Sequence, residues 1–139
     1  MKPLPVSIAF FLVVLLVAAC NKKSASSDTV ASVITQGSWK VHFYSKDGTD
    51  GTSTYSTYNF TFKADGSLTA SNGAVTTSGA WSEINDSGKI KFVLVFVGGG
   101  IPVSLLELQE DWIVDTKSAT LIELSKSGGS AKVLHFQKM

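Results

Sequence analysis

Residues 58–70 read YNFTFKADGSLTA, and their pattern decides the class of fold. Tyr58, Phe60 and Phe62 alternate with Asn59, Thr61 and Lys63. Ala64-Asp65-Gly66 then breaks the run, and Leu68 and Ala70 alternate with Ser67 and Thr69. Alternation with period two puts every second side chain on one face of a strand. A short Asp-Gly break lets the next strand fold back antiparallel, because Gly takes the positive φ of a tight turn without steric cost. The stretch is a β-hairpin with one apolar face.

The same pattern recurs on both sides of it. From Gly37 onward, runs rich in Val, Ile, Thr, Tyr, Phe and Trp are punctuated by Gly, Asp, Asn and Ser, with Asn85-Asp86-Ser87-Gly88 and Ser127-Gly128-Gly129-Ser130 as further turn signals. This predicts eight strands, near residues 38–46, 54–63, 67–72, 77–84, 89–97, 111–117, 119–125 and 131–138. The connections are mostly short, so neighbours pair antiparallel. One face carries Trp39, Val41, Phe43, Tyr58, Phe60, Phe62, Leu68, Ala70, Trp81, Ile90, Phe92, Leu94, Phe96, Trp112, Val114, Ile122, Leu124, Leu134 and Phe136. The other carries Lys40, His42, Asn59, Thr61, Lys63, Lys91, Asp115, Glu123 and His135.

Eight antiparallel strands with one apolar face remove their exposed edges by closing on themselves. The fold class is therefore all-β, an eight-stranded antiparallel up-and-down barrel. His42 and His135, on the first and last strands, become neighbours only if that barrel closes. Outside the strands, residues 28–36 (DTVASVITQ) carry Val30, Val33 and Ile34 at helical spacing, predicting a short helix capped by Asp28 that plugs one mouth. Ser104 and Glu107 have the spacing of a capping box, predicting a helical turn over the other mouth. Gly98-Gly99-Gly100-Ile101-Pro102 then serves as a portal loop.

With these residues in place a family resemblance emerges. Gly37-Ser38-Trp39 resembles the G-x-W of lipocalins. The run from Gly37 to Met139 resembles the small lipocalin-like lipoproteins of Bacteroidota in Tyr58-x-Phe60-x-Phe62, Asp65-Gly66, Gly79-x-Trp81, Asp111-Trp112, Ile122-x-Leu124 and Leu134-x-Phe136. It implies a lipocalin-like (calycin-type) barrel over residues 37–139. In the classical lipocalins an Arg of the last strand packs over the first-strand Trp. Here there is no Arg, and Lys138 stands near that place. The resemblance is thus to the lipocalin-like group rather than to the classical family, whose ligand chemistry does not carry over.

The first twenty residues, MKPLPVSIAFFLVVLLVAAC, have a basic start at Lys2 and an apolar run from Val6 to Ala19 that is 14 residues long. A span of the bilayer needs roughly 20, so the run reads as a secretory signal. Val17-Ala18-Ala19-Cys20 resembles the bacterial lipobox, which implies a signal peptide over residues 1–19 and acylation, palmitate included, of Cys20. Two or three acyl chains, at about 0.8 kcal/mol per buried CH₂, anchor a protein stably where one would not. Residues 20–36 then form an acylated tether and the short helix. The tether NKKSASS, residues 21–27, has no run of acids after the cysteine. Surface-exported lipoproteins of some Gram-negative groups carry such a run, so the expectation is the outer membrane, its periplasmic face favoured over the cell surface.

Composition narrows function. The 139 residues carry 12 basic side chains, all Lys, against 11 acids. Without Arg, and with Lys2 lost in the leader, the remaining chain is formally neutral, which argues against a nucleic-acid partner. One Cys makes neither an internal disulfide nor a structural zinc site. No metal site is expected: the two His lack a matched carboxylate, and Asp47-Gly48-Thr49-Asp50-Gly51 lacks the ligands of a calcium loop and reads as a polar hairpin. The Gly98–Gly100 run lacks the spacing of a phosphate loop, and no cofactor is expected. No G-x-S-x-G elbow or Ser/His/Asp constellation points to an enzyme. Glu107, Glu110 and Asp111 read as a solvated rim.

Two functions remain open. In the first, the barrel holds a small apolar ligand, with Trp39, Phe60, Phe62, Trp81, Phe92, Leu94 and Trp112 as walls and Ile101 and Leu105 at the portal. In the second, these side chains fill the barrel, since eight strands enclose room for either. The protein then acts as an envelope interaction module through Val93, Val95 and Val97, an apolar strip on the outward face.

Overall fold

A computed structural model describes residues 28–139. The signal segment, Cys20 and the tether over residues 21–27 lie outside the described residues. The elements run α1 (Val30–Ile34), β1 (Ser38–Lys46), β2 (Thr49–Asp50), a 3-10 turn (Thr52–Tyr55), β3 (Asn59–Phe62), β4 (Ser67–Ser71), β5 (Thr76–Asp86), β6 (Lys89–Val97), α2 (Val103–Leu106), β7 (Asp111–Lys117), β8 (Leu121–Lys126) and β9 (Lys132–Lys138). None of the described helices is long and apolar enough to cross a membrane.

Each strand pairs antiparallel with the next around the sheet, and β1 pairs with β9 from Trp39 opposite Lys138 to Lys46 opposite Lys132. That seam closes an eight-stranded up-and-down barrel, of which β2 is only a two-residue return of β1. The Asp47-Gly48 and Ser87-Gly88 turns have φ of 50° and 80°, and of 53° and 87°. Positive φ at both central residues is what a two-residue hairpin turn demands.

Three expectations are corrected. The second strand begins at Asn59 rather than at residue 54, because Thr52–Tyr55 form the 3-10 turn. There the Thr52 hydroxyl bonds both main-chain groups of Tyr44, and the Asp50 carboxylate accepts from the Thr52 amide at 2.8 Å. Such local bonds compete with strand pairing. Second, the β1–β9 register slips between Val41 and Phe43, leaving His42 as a bulge. The slip turns Tyr44 inward and leaves Phe43 against His135, ring centroids 5.3 Å apart, so the barrel closes without bringing His42 opposite His135. Third, α1 is capped by Thr29, whose side chain accepts from the Ser32 amide at 3.0 Å, and not by Asp28.

The core is one cluster. Besides the inward strand residues it contains Val30, Val33 and Ile34 of α1, Tyr55 of the 3-10 turn, Leu105 of α2 and Leu108 just after it. α1 plugs the mouth where β1 begins. α2 plugs the opposite mouth, where β1 ends.

Candidate functional site

Every residue assigned to a cavity wall points into the barrel and is buried: Trp39, Phe60, Phe62, Trp81, Phe92, Leu94 and Trp112 are at most 8% exposed. They are brought together as a packed group. The Phe62 ring lies 5.5 Å from Phe136, 5.6 Å from Phe92 and 6.3 Å from Trp81, and Phe60 lies 5.2 Å from Phe136. The pairs that include Phe136 and Trp81 are edge-to-face, the arrangement ring quadrupoles favour. Each indole N–H is satisfied by a main-chain carbonyl: Trp39 donates to Ile34 (2.8 Å), Trp81 to Lys63 (2.9 Å) and Trp112 to Leu108 (2.9 Å). Two of these bonds tie a plug to the barrel wall.

At the α2 mouth the proposed portal residues close the opening. Leu105 is fully buried and Ile101 packs against the core. α2 starts from Pro102 with no side-chain cap, so the expected Ser104–Glu107 capping box is absent. Ser104 instead offers its main-chain carbonyl to the Tyr55 hydroxyl at 2.8 Å.

Glu107 and Glu110 are not a solvated rim. Lys132 Nζ, its side chain 7% exposed, donates to Glu110 Oε1 at 2.8 Å and to the Glu107 carbonyl at 2.9 Å. It lies 3.1 Å from Glu107 Oε2. Lys46 Nζ holds the same Glu107 carboxylate at 3.0 Å, and Lys126 pairs with Glu110. Burial alone would lower the pKa of Lys132, but its hydrogen bonds to Glu110 and Glu107 outweigh that and hold it above the ordinary lysine value. Burial alone would raise Glu110, but bonds from Lys126 and Lys132 hold it below the ordinary value. Bonds from Lys46 and Lys132 likewise depress Glu107. The network latches the α2 segment to β1, β8 and β9. The sequence did carry a signal for it: Lys132 shares strand parity with the inward Leu134 and Phe136.

Outside the barrel, the β6 strip is graded. Val93 is partly covered, whereas Val95 and Val97 are 39% and 54% exposed. Three clefts open on the outer surface. One of about 410 Å³ lies beside the strip, between Val93–Val95, Gln109–Asp111 and Lys126. The others, about 270 and 190 Å³, lie by His42 and the 3-10 turn and beside α1. None of the three is lined by the interior aromatic side chains. Among the described residues, no three or more His, Cys, Asp or Glu cluster as metal ligands would.

No protein-family model matches the chain. A search of curated proteins also finds no match. Among solved structures, the chain is similar to a DUF4847 family protein from Bacteroides vulgatus, with a TM-score of 0.59 and 17% identity over 80% of this chain and 98% of that one. It is also matched to a lipocalin-like protein from Bacteroides uniformis, with a TM-score of 0.49 and 19% identity over 76% of this chain and 98% of that one. At such identities the first likeness concerns the fold. The barrel, its closure and its plugs define a lipocalin-like all-β fold.

Proposed function

We propose that this chain is a bacterial lipoprotein, anchored through acylated Cys20 at the outer membrane, whose lipocalin-like barrel is packed solid and works as an envelope interaction module through its outer surface. The observation that carries this reading is the interior: its rings touch one another, both mouths are plugged, and the cleft beside the strip opens outward. Lipidation rests on the lipobox resemblance, and the periplasmic face of the membrane rests on the tether's lack of acids. The chain acts without enzymatic chemistry or cofactor in this reading. Its working face is the strip of Val93, Val95 and Val97, since exposed valines beside a cleft favour burial against a partner.

The test is cross-linking in the native envelope. Val95→Lys is expected to abolish a cross-linked partner while leaving the circular dichroism spectrum and envelope localisation unchanged. An unchanged set of cross-links removes the strip from the mechanism. Cys20→Ala is expected to release the chain from the membrane and to end palmitate incorporation.

A second reading keeps the apolar ligand inside the barrel. It is favoured by one feature, the positive φ at Gly98 and Gly100 in the loop leading into α2, where the buried Leu105 and, just after the helix, Leu108 seal the mouth. Mass spectrometry of an organic extract of the purified protein decides it: a near-stoichiometric apolar molecule supports the ligand, and an empty extract supports the solid barrel.

A further inference from the structure

One stretch of backbone in this barrel has a strand on only one of its two sides. β6 extends to Val97, but its last residue in register with β7 is Val93, opposite Asp111. Beyond that point the flank is served piecemeal. The Leu94 amide donates to the Glu110 carbonyl at 3.2 Å, and the Phe96 amide donates to the side-chain Oε1 of Gln109 at 3.0 Å. In a strand the N–H and C=O of one residue point the same way, so the carbonyls of Leu94 and Phe96 face this flank too. Among the described residues neither carbonyl accepts a hydrogen bond there. The 410 Å³ cleft lies against Leu94, the nearer of the two, between it and Gln109–Asp111.

These groups specify an occupant. Two acceptors two residues apart match the spacing of N–H donors along an extended chain. The carboxamide of Gln109 has the chemistry of a peptide group and already sits where a neighbouring strand's carbonyl would bond Phe96, as an internal mimic of such a strand. Val95 and Val97 flank the edge with exposed apolar surface. Of the cleft's two carboxylates, Glu110 is held by Lys126 and Lys132, whereas Asp111 makes no ion pair among the described residues. That leaves one negative charge at the end of the edge next to β7.

We propose that this flank of β6 binds an extended, apolar-alternating peptide segment of another envelope protein, with a basic residue level with Asp111. The segment enters as a short added strand. Two of its amides donate to the carbonyls of Leu94 and Phe96, one of its carbonyls replaces Gln109 on the Phe96 amide, and its apolar side chains cover Val95 and Val97. This inference rests on the reading that the outer surface is the working surface, and adds the kind of partner.

The test pans a library of random linear decapeptides on phage against the full chain in detergent, then measures the enriched sequences as synthetic peptides by fluorescence anisotropy. Enriched sequences are expected to alternate apolar residues. Their affinity is expected to fall at least about tenfold with Val95→Lys, and equally when the two pairing amides are N-methylated but not when their neighbours are. Gln109→Ala removes the competing carboxamide and is expected to tighten binding by roughly 3- to 10-fold. No enrichment, or binding indifferent to both Val95→Lys and N-methylation, overturns the proposal. So does self-association of the chain that Val95→Lys abolishes, which makes a second copy the occupant. If Val95→Lys loses its cross-link in the envelope while no linear peptide binds, the surface reading stands and the extended-segment inference falls.

Discussion

Lys132 Nζ lies 2.8 Å from Glu110 Oε1 and 2.9 Å from the main-chain carbonyl of Glu107, so one nearly buried ammonium fastens the C-terminal end of the segment that closes a barrel mouth. Its inward strand position would ordinarily hold an apolar side chain. Two carboxylates and a carbonyl make the charge tolerable there, and removing it leaves them without their inner partner. Lys132→Ala is expected to destabilise the fold by about 2–4 kcal/mol, below the full cost of breaking a buried pair because Glu107 is one-third exposed. Urea denaturation checks this. Lys132→Met with Glu110→Gln is expected to recover part of the loss, since the uncompensated charge goes with its partner.

The same network sets a pH window for α2. Glu107 and Glu110 have folded-state pKa values below the ordinary range, so their contribution is fully present above the unfolded value, about 4.3, and is lost as the pH falls through the depressed values. Lys132 has a raised value, so its contribution is present below about 10.4 and is lost as the pH rises beyond it. The latch therefore holds between roughly pH 5 and 10. Hydrogen exchange of the Leu105 and Leu108 amides, corrected for intrinsic rate, is expected to accelerate below about pH 4 before the strand amides follow. Simultaneous exchange of helix and strands shows that α2 does not open separately.

Gly79, part of the Gly79-x-Trp81 pattern, sits where the backbone of β6 leaves no room for a side chain. A Cβ on Gly79 would stand 2.3 Å from the Val95 carbonyl oxygen and 3.3 Å from the Phe96 Cα, both main-chain atoms that cannot swing aside. Gly79→Ala is expected to cost about 2–3 kcal/mol and to disturb β6. Gly99→Ala meets open space at an ordinary φ, and is expected to stay within about 0.5 kcal/mol of the parent. Thermal denaturation of the pair separates close approach from a general intolerance of glycine replacement.

Strand order and the inward face were legible because period-two alternation reports burial directly. What escaped depends on contacts that no local pattern encodes. The Tyr- and Thr-rich residues 54–58 have strand propensity, yet Asp50 and Thr52 turn the chain before them, and Tyr55 then spends its hydroxyl on Ser104, 49 residues away. The bulge at His42 exchanged the roles of Phe43 and Tyr44 by one residue of register, which a period-two reading cannot anticipate. Glu107 and Glu110 look like surface acids until Lys132 is placed opposite them by closure of the barrel. Period-two alternation tells which side chains turn inward; whether they surround a space depends on volume, which the pattern does not carry.

Volume can be tested by removing it. Phe62 is 1% exposed and touches Trp81, Phe92 and Phe136, so truncation opens a void in the middle of the barrel. Phe62→Ala is expected to cost about 3–5 kcal/mol, the usual range for a buried ring. In a solid barrel the resulting cavity is dry, apolar and large enough for a benzene-sized molecule, as engineered apolar cavities are. The variant is then expected to bind small aromatic probes, with a change in tryptophan fluorescence because the Trp81 ring lies 6.3 Å from the Phe62 ring. The parent protein is expected to leave the same probes unbound. Binding by the parent, lost or weakened in Phe62→Ala, would mean instead that the rings line a space already present and would restore the ligand-holding barrel.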